Sequence, residues 1–295
     1  MLIYPDTSDL IRLCRGTAWL DLSDLARRLA AHSHQIVFSM DTLIELADPL
    51  RKGQSLEVRR RLNQLEELPH MFVNEARIQD MEIREAVNAF EHAREYDFAA
   101  ITPFASRLDG AIDIHGKHQY IVEGGRRVPT AMIINFRMAE VLDYLWHYDP
   151  HIFDVQRRRE REWIWVMESD RAMHPPKLGD HFVTMMSSTL AQHRIPPPTA
   201  GVEPFARWVY ESPSRCPGVR LAYEAQHQFR RDRGARPAAS DMIDLGRVKS
   251  VPYVDFFVTD AAMMTYCKRA AVQIGRRYQQ LLGDLRGVMS HLGIG

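Results

Sequence analysis

The stretch SDMIDLGRVKSVPYVDFFVTD, residues 240–260, sets four carboxylates, Asp241, Asp244, Asp255 and Asp260, among residues that otherwise read as buried or turn-forming. Its last five residues, FFVTD, form a short apolar, β-branched run closed by an acid. A run without polar alternation predicts an interior strand of a parallel sheet, covered on both faces. The aspartate then stands where the chain leaves the sheet.

The same arrangement recurs near the start of the chain. LIY (2–4) is closed by Pro5 and Asp6, and TSDLIRLCRG then opens with polar capping residues and ends at Gly16, which reads as strand, turn and short helix. QIVFS (35–39) is a second strand that runs directly into MDTLIELADPL, a helix carrying Glu45. MFV (71–73) is a third strand, between the helical patterns SLEVRRRLNQLEEL and IQDMEIREAVNAFEHAREY. Strands alternating with helices predict an α/β fold with a central parallel sheet.

Farther on the pattern changes. Residues 101–130 read as loop with a hairpin around QYIVEGGRRV. Helical spacing follows at 131–148, 155–172, 180–194, 203–211 and 219–233, interrupted by the proline-rich IPPPTAGVEP, and one or two helices close the chain after Asp260. The expected organisation is an α/β unit built from residues 1–94 and 236–295, interrupted by a large, mostly helical insertion over 95–235.

Composition narrows the function. The chain has 295 residues, 45% of them apolar, with Lys+Arg and Asp+Glu both at 38, so no bulk charge attracts nucleic acid or an anionic membrane. Contacts to a polyanion would have to come from a local patch. Arg230, Arg231, Arg233 and Arg236, in FRRDRGAR, are the candidates for substrate binding because they lead into the acid-bearing segment. Cys14, Cys216 and Cys267 are odd in number and far apart, against a disulfide framework or a CxxC site, and point to a reducing cytoplasm. No signal peptide or membrane-length apolar run is read, so no membrane partner is expected. His32, His34, His115 and His118 lack zinc-site spacing, and GAIDIHGKH departs from a phosphate loop by one residue and by lacking Ser or Thr after Lys117. Trp163 and Trp165 could stack on bases, although packing between helices is their readier use.

In an open parallel sheet, ligands gather beyond the carboxyl ends of the strands. Asp6 and Asp260 leave such ends directly, and Glu45 follows within two turns of helix. Asp241 and Asp244, three apart, share a helix face. Each has a structural use: Asp6 can cap a helix, and Asp241 can favour the positive end of a helix dipole. Together, carboxylates from separate strand ends repel one another unless a cation lies between them. Mg²⁺ or Mn²⁺ prefers such oxygen ligands and leaves positions for phosphate and water, the requirement of phosphodiester hydrolysis. Asp255 begins its strand and is a secondary candidate. Thr259 could orient a ligand carboxylate or water.

These residues resemble the PIN-like nuclease domains. The resemblance rests on IYPDTSDLI with Asp6, VFSMDTLIEL with Glu45, SDMIDLGRV with Asp241 and Asp244, and YVDFFVTD with Asp255 and Asp260, in the family's order. It covers roughly residues 1–90 and 240–275, and spacing slightly favours Asp241 over Asp244 as the third acid. It implies a Rossmann-like three-layer fold and a cytoplasmic endoribonuclease in which Asp6, Glu45, Asp241 and Asp260 act, with Asp244 assisting, on one or two Mg²⁺ or Mn²⁺ ions. A metal-activated water would cleave single-stranded RNA to a 5′-phosphate and a 3′-hydroxyl. The alternatives are a structure-specific DNA nuclease, or an inactive scaffold whose insertion binds a protein or RNA; self-association stays open. The family's final short strand is not evident after Asp260.

Overall fold

The computed structural model describes residues 1–17, 20–47, 49–50, 53–108, 119–121, 127–129, 138, 151–172, 178–232, 234–276, 278 and 281–293, with the backbone alone for 119–121, 127–129, 151–157, 170–172 and 178. The N-terminal part runs β1 (Leu2–Tyr4), α1 (Thr7–Cys14), α2 (Leu22–Ala31), β2 (Gln35–Ser39), α3 (Met40–Leu46), α4 (Ser55–Leu65), β3 (His70–Val73), α5 (Glu75–Glu91) and β4 (Phe104–Ala105). A hairpin of β5 (Gln119–Ile121) and β6 (Arg127–Pro129) stands where the sequence predicts one, and pairs antiparallel. Among the described residues, the helices α6 (His151–Ala172), α7 (Leu178–Gln192), α8 (Val202–Glu211) and α9 (Pro217–Arg231) follow. The chain returns through α10 (Ala239–Arg247), a 3-10 segment Val248–Tyr253, β7 (Phe256–Val258), α11 (Ala261–Gln273), β8 (Leu281–Leu282) and α12 (Leu285–His291). The helix expected over 131–148 lies, apart from Met138, outside the described residues.

The main sheet has the order β4-β3-β2-β1-β7-β8. Every pairing in it is parallel except that of the edge strand β4 with β3. Successive side chains on a strand point to opposite faces, and this alternation divides the core into two layers. Ile3, Ile36, Phe38, Phe72, Phe256 and Val258 face one way and pack with Leu10, Leu25, Leu43, Leu62 and Val288 from the helices of that side. Tyr4, Val37, Val73 and Phe257 face the other way, against Ile78, Leu221, Ala225, Phe229, Leu245 and Met263. The fold is therefore α/β in three layers. Both strand faces are covered, which is why the strands read as unbroken apolar runs.

Helix α9 falls within the stretch 95–235 that the sequence assigns to an insertion, yet it packs on the sheet through Leu221, Ala225 and Phe229. Its other side joins Ile83 and Ala86 of α5 to Phe182 and Met186 of α7 and Phe205 and Val209 of α8 through Val219 and Tyr223. Residue 216, just before it, is a cysteine in the left-handed region (φ 51°) and offers no side-chain cap. Glu82 of α5 fills that role from a distance, accepting from the amides of Gly218 (2.7 Å) and Val219 (2.8 Å) and from the Tyr253 hydroxyl. Pro217 carries no amide hydrogen, and the amides of the two residues after it, left without an intrahelical partner at the helix start, need such an acceptor.

Two short strands correct the sequence reading. β8 does follow Asp260, pairing Phe257 with Leu281 and Val258 with Leu282, and β4 lies in a stretch read as loop. Each is two residues long, too short for any periodicity to appear.

Candidate active site

Because β1 and β7 are adjacent and parallel, Asp6 and Asp260 emerge at the same end of the sheet. Both take extended backbone conformations as helix N-caps. Asp6 Oδ1 accepts from Ser8 N at 2.7 Å and Asp260 Oδ1 from Met263 N at 2.7 Å. Capping occupies one oxygen of each carboxylate; Asp6 Oδ2 lies 4.0 Å from Arg247 Nη1. Glu45 is held by Thr7, whose Oγ1 donates to its Oε2 at 2.5 Å. Burial raises the Glu45 pKa, opposed by the Thr7 bond and Arg247 and assisted by Asp6 and Asp41.

Asp244 joins these groups from α10. Its Oδ1 lies 3.3 Å from Arg247 Nη1, one helical turn along. Burial pushes its pKa up to about 7 against the attraction of Arg247, and Glu45, Asp6 and Asp260 add to the rise. Like charges raise a carboxyl pKa when they are near, so Asp6, Glu45 and Asp260 stand within electrostatic reach of Asp244, and Asp6 is tied to it further by their shared neighbour Arg247.

Arg247 is 1% exposed beneath them. Its Nη2 donates to the Pro5 carbonyl, and its guanidinium lies over the Tyr4 ring at 4.6 Å. Burial works against its charge, but Tyr4, Asp244, Glu45 and Asp6 outweigh that and hold its pKa above the ordinary arginine value. A second group adjoins the crevice. Glu75, at the start of α5, accepts from the Tyr4 hydroxyl at 2.5 Å, and burial together with Asp41 lifts its pKa to about 7. Burial raises the pKa of Asp41 too, while Arg247, Lys249 and Arg159 lower it. Lys249 Nζ donates to Gln79 Oε1 at 2.6 Å, and burial lowers its pKa against the pull of Glu75, Asp41 and Glu82.

The other sequence candidates are placed differently. Asp241 Oδ2 accepts from Ala238 N at 2.7 Å, turned back to the start of α10. Asp255 Oδ2 accepts from Leu2 N at 2.6 Å at the opposite end of the sheet from Asp260, roughly 15 Å away along five residues of extended chain. Thr259 is 1% exposed and its Oγ1 has no hydrogen-bond partner. Arg230 Nη1 meets His181 Nε2 at 3.2 Å, Arg231 and Arg236 are exposed, and Arg233 lies outside the described residues.

Sequence reading overlooked Arg247, Lys249, Asp41 and Glu75. Glu75 carried a usable signal, since it follows the MFV strand by two residues as Asp6 follows LIY and Asp260 follows FFV. Arg247 and Lys249 carried none, because a buried cation is indistinguishable in sequence from a solvated one.

Among the described residues, no three carboxylate, imidazole or thiol side chains come together in an arrangement that could hold a metal ion, and no helix is long and apolar enough to cross a membrane. The three cysteines are buried and unpaired. No protein-family model, no curated protein and no solved structure matches the chain.

Proposed function

We propose that the chain is a divalent-metal-dependent endonuclease that hydrolyses phosphodiester bonds in single-stranded RNA. One observation carries the reading: Asp6 and Asp260 leave the adjacent parallel strands β1 and β7 at the same end of the sheet, and Arg247 ties Asp6 to Asp244 there. The strand order agrees with it. Taken alone, the parallel strands run β3-β2-β1-β7-β8, so the crevice opens beside β1, where the winding direction reverses, the usual ligand position in such sheets.

The donor set fits Mg²⁺ or Mn²⁺ in chemistry: Asp6 and Asp244 share the Arg247 guanidinium, and Glu45 and Asp260 add carboxylates beyond that single positive charge, an excess that a hard cation would neutralise. Asp6, Glu45, Asp244 and Asp260 would hold it, after side-chain rotation brings their oxygens together. When bound, such an ion activates water and neutralises charge on the phosphate. The chain's own contributions are separate. Thr7 orients Glu45, Arg247 braces Asp6 and Asp244 from below, and Asp244 can hold or release a proton near neutral pH. Asp241 and Asp255, bonded to backbone amides, are structural in this reading.

Purified protein with single-stranded RNA and Mn²⁺ is expected to cleave, and Asp6→Asn, Asp260→Asn or Asp244→Asn each to lose about a hundredfold or more. Equal cleavage by all three would remove these acids from the reaction. A second reading is favoured by Arg247, which already places a positive charge among the acids: an inactive scaffold with a built-in counter-ion. Calorimetric titration with Mn²⁺ separates the two, since the scaffold shows no saturable binding.

A further inference from the structure

A cavity of about 230 Å³, open on one side, is lined by residues of α5, α6, α7, α9 and α10 and by Lys249, and on α10 it takes in Leu245 and Gly246 but not Asp244. It is smaller than the ~300–1,000 Å³ of sites for drug-sized ligands, and suits a single ring system. Trp163 contributes an aromatic wall and is itself packed on Phe229, with ring centroids 5.7 Å apart. Leu245 and Gly246 supply the α10 side, and a Cβ added at Gly246 would meet nothing within 4 Å.

Polar groups converge on this otherwise apolar space. Lys249 uses one ammonium proton on Gln79, and the other side of the Gln79 amide donates to Thr189 Oγ1 at 3.3 Å. Gln226 lines the cavity and makes no hydrogen bond to any described residue. An aromatic face, a donor-only cation and an uncommitted amide are the elements that recognise a heterocycle bearing a carbonyl. The position matters as well. Asp244 and Leu245 are consecutive on α10, so one short helix carries a member of the acid group and a wall of the cavity.

We propose that this cavity takes one unstacked, carbonyl-bearing nucleobase, uracil, guanine or cytosine in preference to adenine, from the RNA strand whose phosphates lie at the acid crevice. The link to that strand rests on the nuclease reading. Stacking on Trp163 would hold the ring. Lys249 would donate to the base carbonyl, which adenine lacks, since adenine offers a ring-nitrogen acceptor beside an amino donor.

The test is calorimetric titration of the metal-free, full-length protein with UMP, GMP, CMP and AMP in turn, with inorganic phosphate as competitor. At least one carbonyl-bearing nucleotide is expected to bind about tenfold tighter than AMP, Trp163→Ala and Gln226→Ala to weaken it about tenfold each, Trp163→Phe to weaken it less, and phosphate not to displace it. Circular dichroism verifies that each variant is folded. Absence of binding, equal binding of all four nucleotides, or binding indifferent to Trp163→Ala overturns the proposal. Mapping of Mn²⁺-dependent cleavage sites distinguishes the two readings: base-selective binding without cleavage removes the nuclease and keeps the pocket, whereas cleavage with neither base preference nor nucleotide binding removes the pocket and keeps the nuclease.

Discussion

Asp244 and Arg247 lie one turn apart on α10, and the 3.3 Å contact between Oδ1 and Nη1 joins the helix to the crevice, because the same guanidinium also reaches Asp6 and the Pro5 carbonyl. A buried cation with these partners fixes the separation of β1 from α10. It also limits the repulsion among the acids above it.

Arg247→Met is therefore expected to destabilise the fold by about 3–5 kcal/mol, the usual result of removing one partner of a buried ion pair. The Pro5 carbonyl loses its donor and the acids lose their counter-charge. Urea denaturation at neutral pH measures it. A change under 1 kcal/mol would mean that the guanidinium is not the brace described.

Asp244 also dictates a pH dependence. Its folded pKa, about 7, lies above the ordinary 3.8, so between roughly pH 4 and 7 the folded chain retains a proton that the unfolded chain has released. Stability consequently falls as pH rises through that window. Glu75 and Glu82, also raised to about 7, act in the same direction. Comparison of unfolding at pH 5 and pH 7 is expected to show the loss, and Asp244→Asn to reduce the difference by up to about 2 kcal/mol. An unchanged difference in the variant would assign the effect to other groups.

The two aspartates of α10 can be separated by experiment. Asp241→Ala removes a bond to the Ala238 amide and is expected to cost about 1 kcal/mol of stability with RNA cleavage retained. Asp244→Asn is expected to abolish cleavage while leaving the protein folded. The reverse pattern in a cleavage assay would exchange their roles.

At Gly218, α9 comes too close to the segment after α10 to leave room for a Cβ. A Cβ there would stand 2.4 Å from the Lys249 carbonyl oxygen and 3.0 Å from Glu82 Oε1. The first of these is backbone and cannot rotate away, so Gly218→Ala is expected to destabilise by about 2 kcal/mol or more and lower the melting temperature by several degrees. A neutral outcome would place α9 farther from Lys249 than the described contact.

What the sequence by itself determined was local. Unbroken apolar runs at LIY, QIVFS, MFV and FFV established buried parallel strands, and an acid beyond three of them marked one end of the sheet, because strand polarity follows from chain direction. Tertiary structure alone decided which acids share a space. Spacing slightly favours Asp241 over Asp244, yet Asp241 turns to a backbone amide and Asp244 faces Arg247, a choice made by the seat of Arg247 against the Pro5 carbonyl. It also brought α9 onto the sheet from within the stretch read as insertion, and set Lys249 beside Gln79 across 170 residues of chain. Burial and the charge of distant neighbours control these groups, and neither quantity is encoded in the few residues on either side.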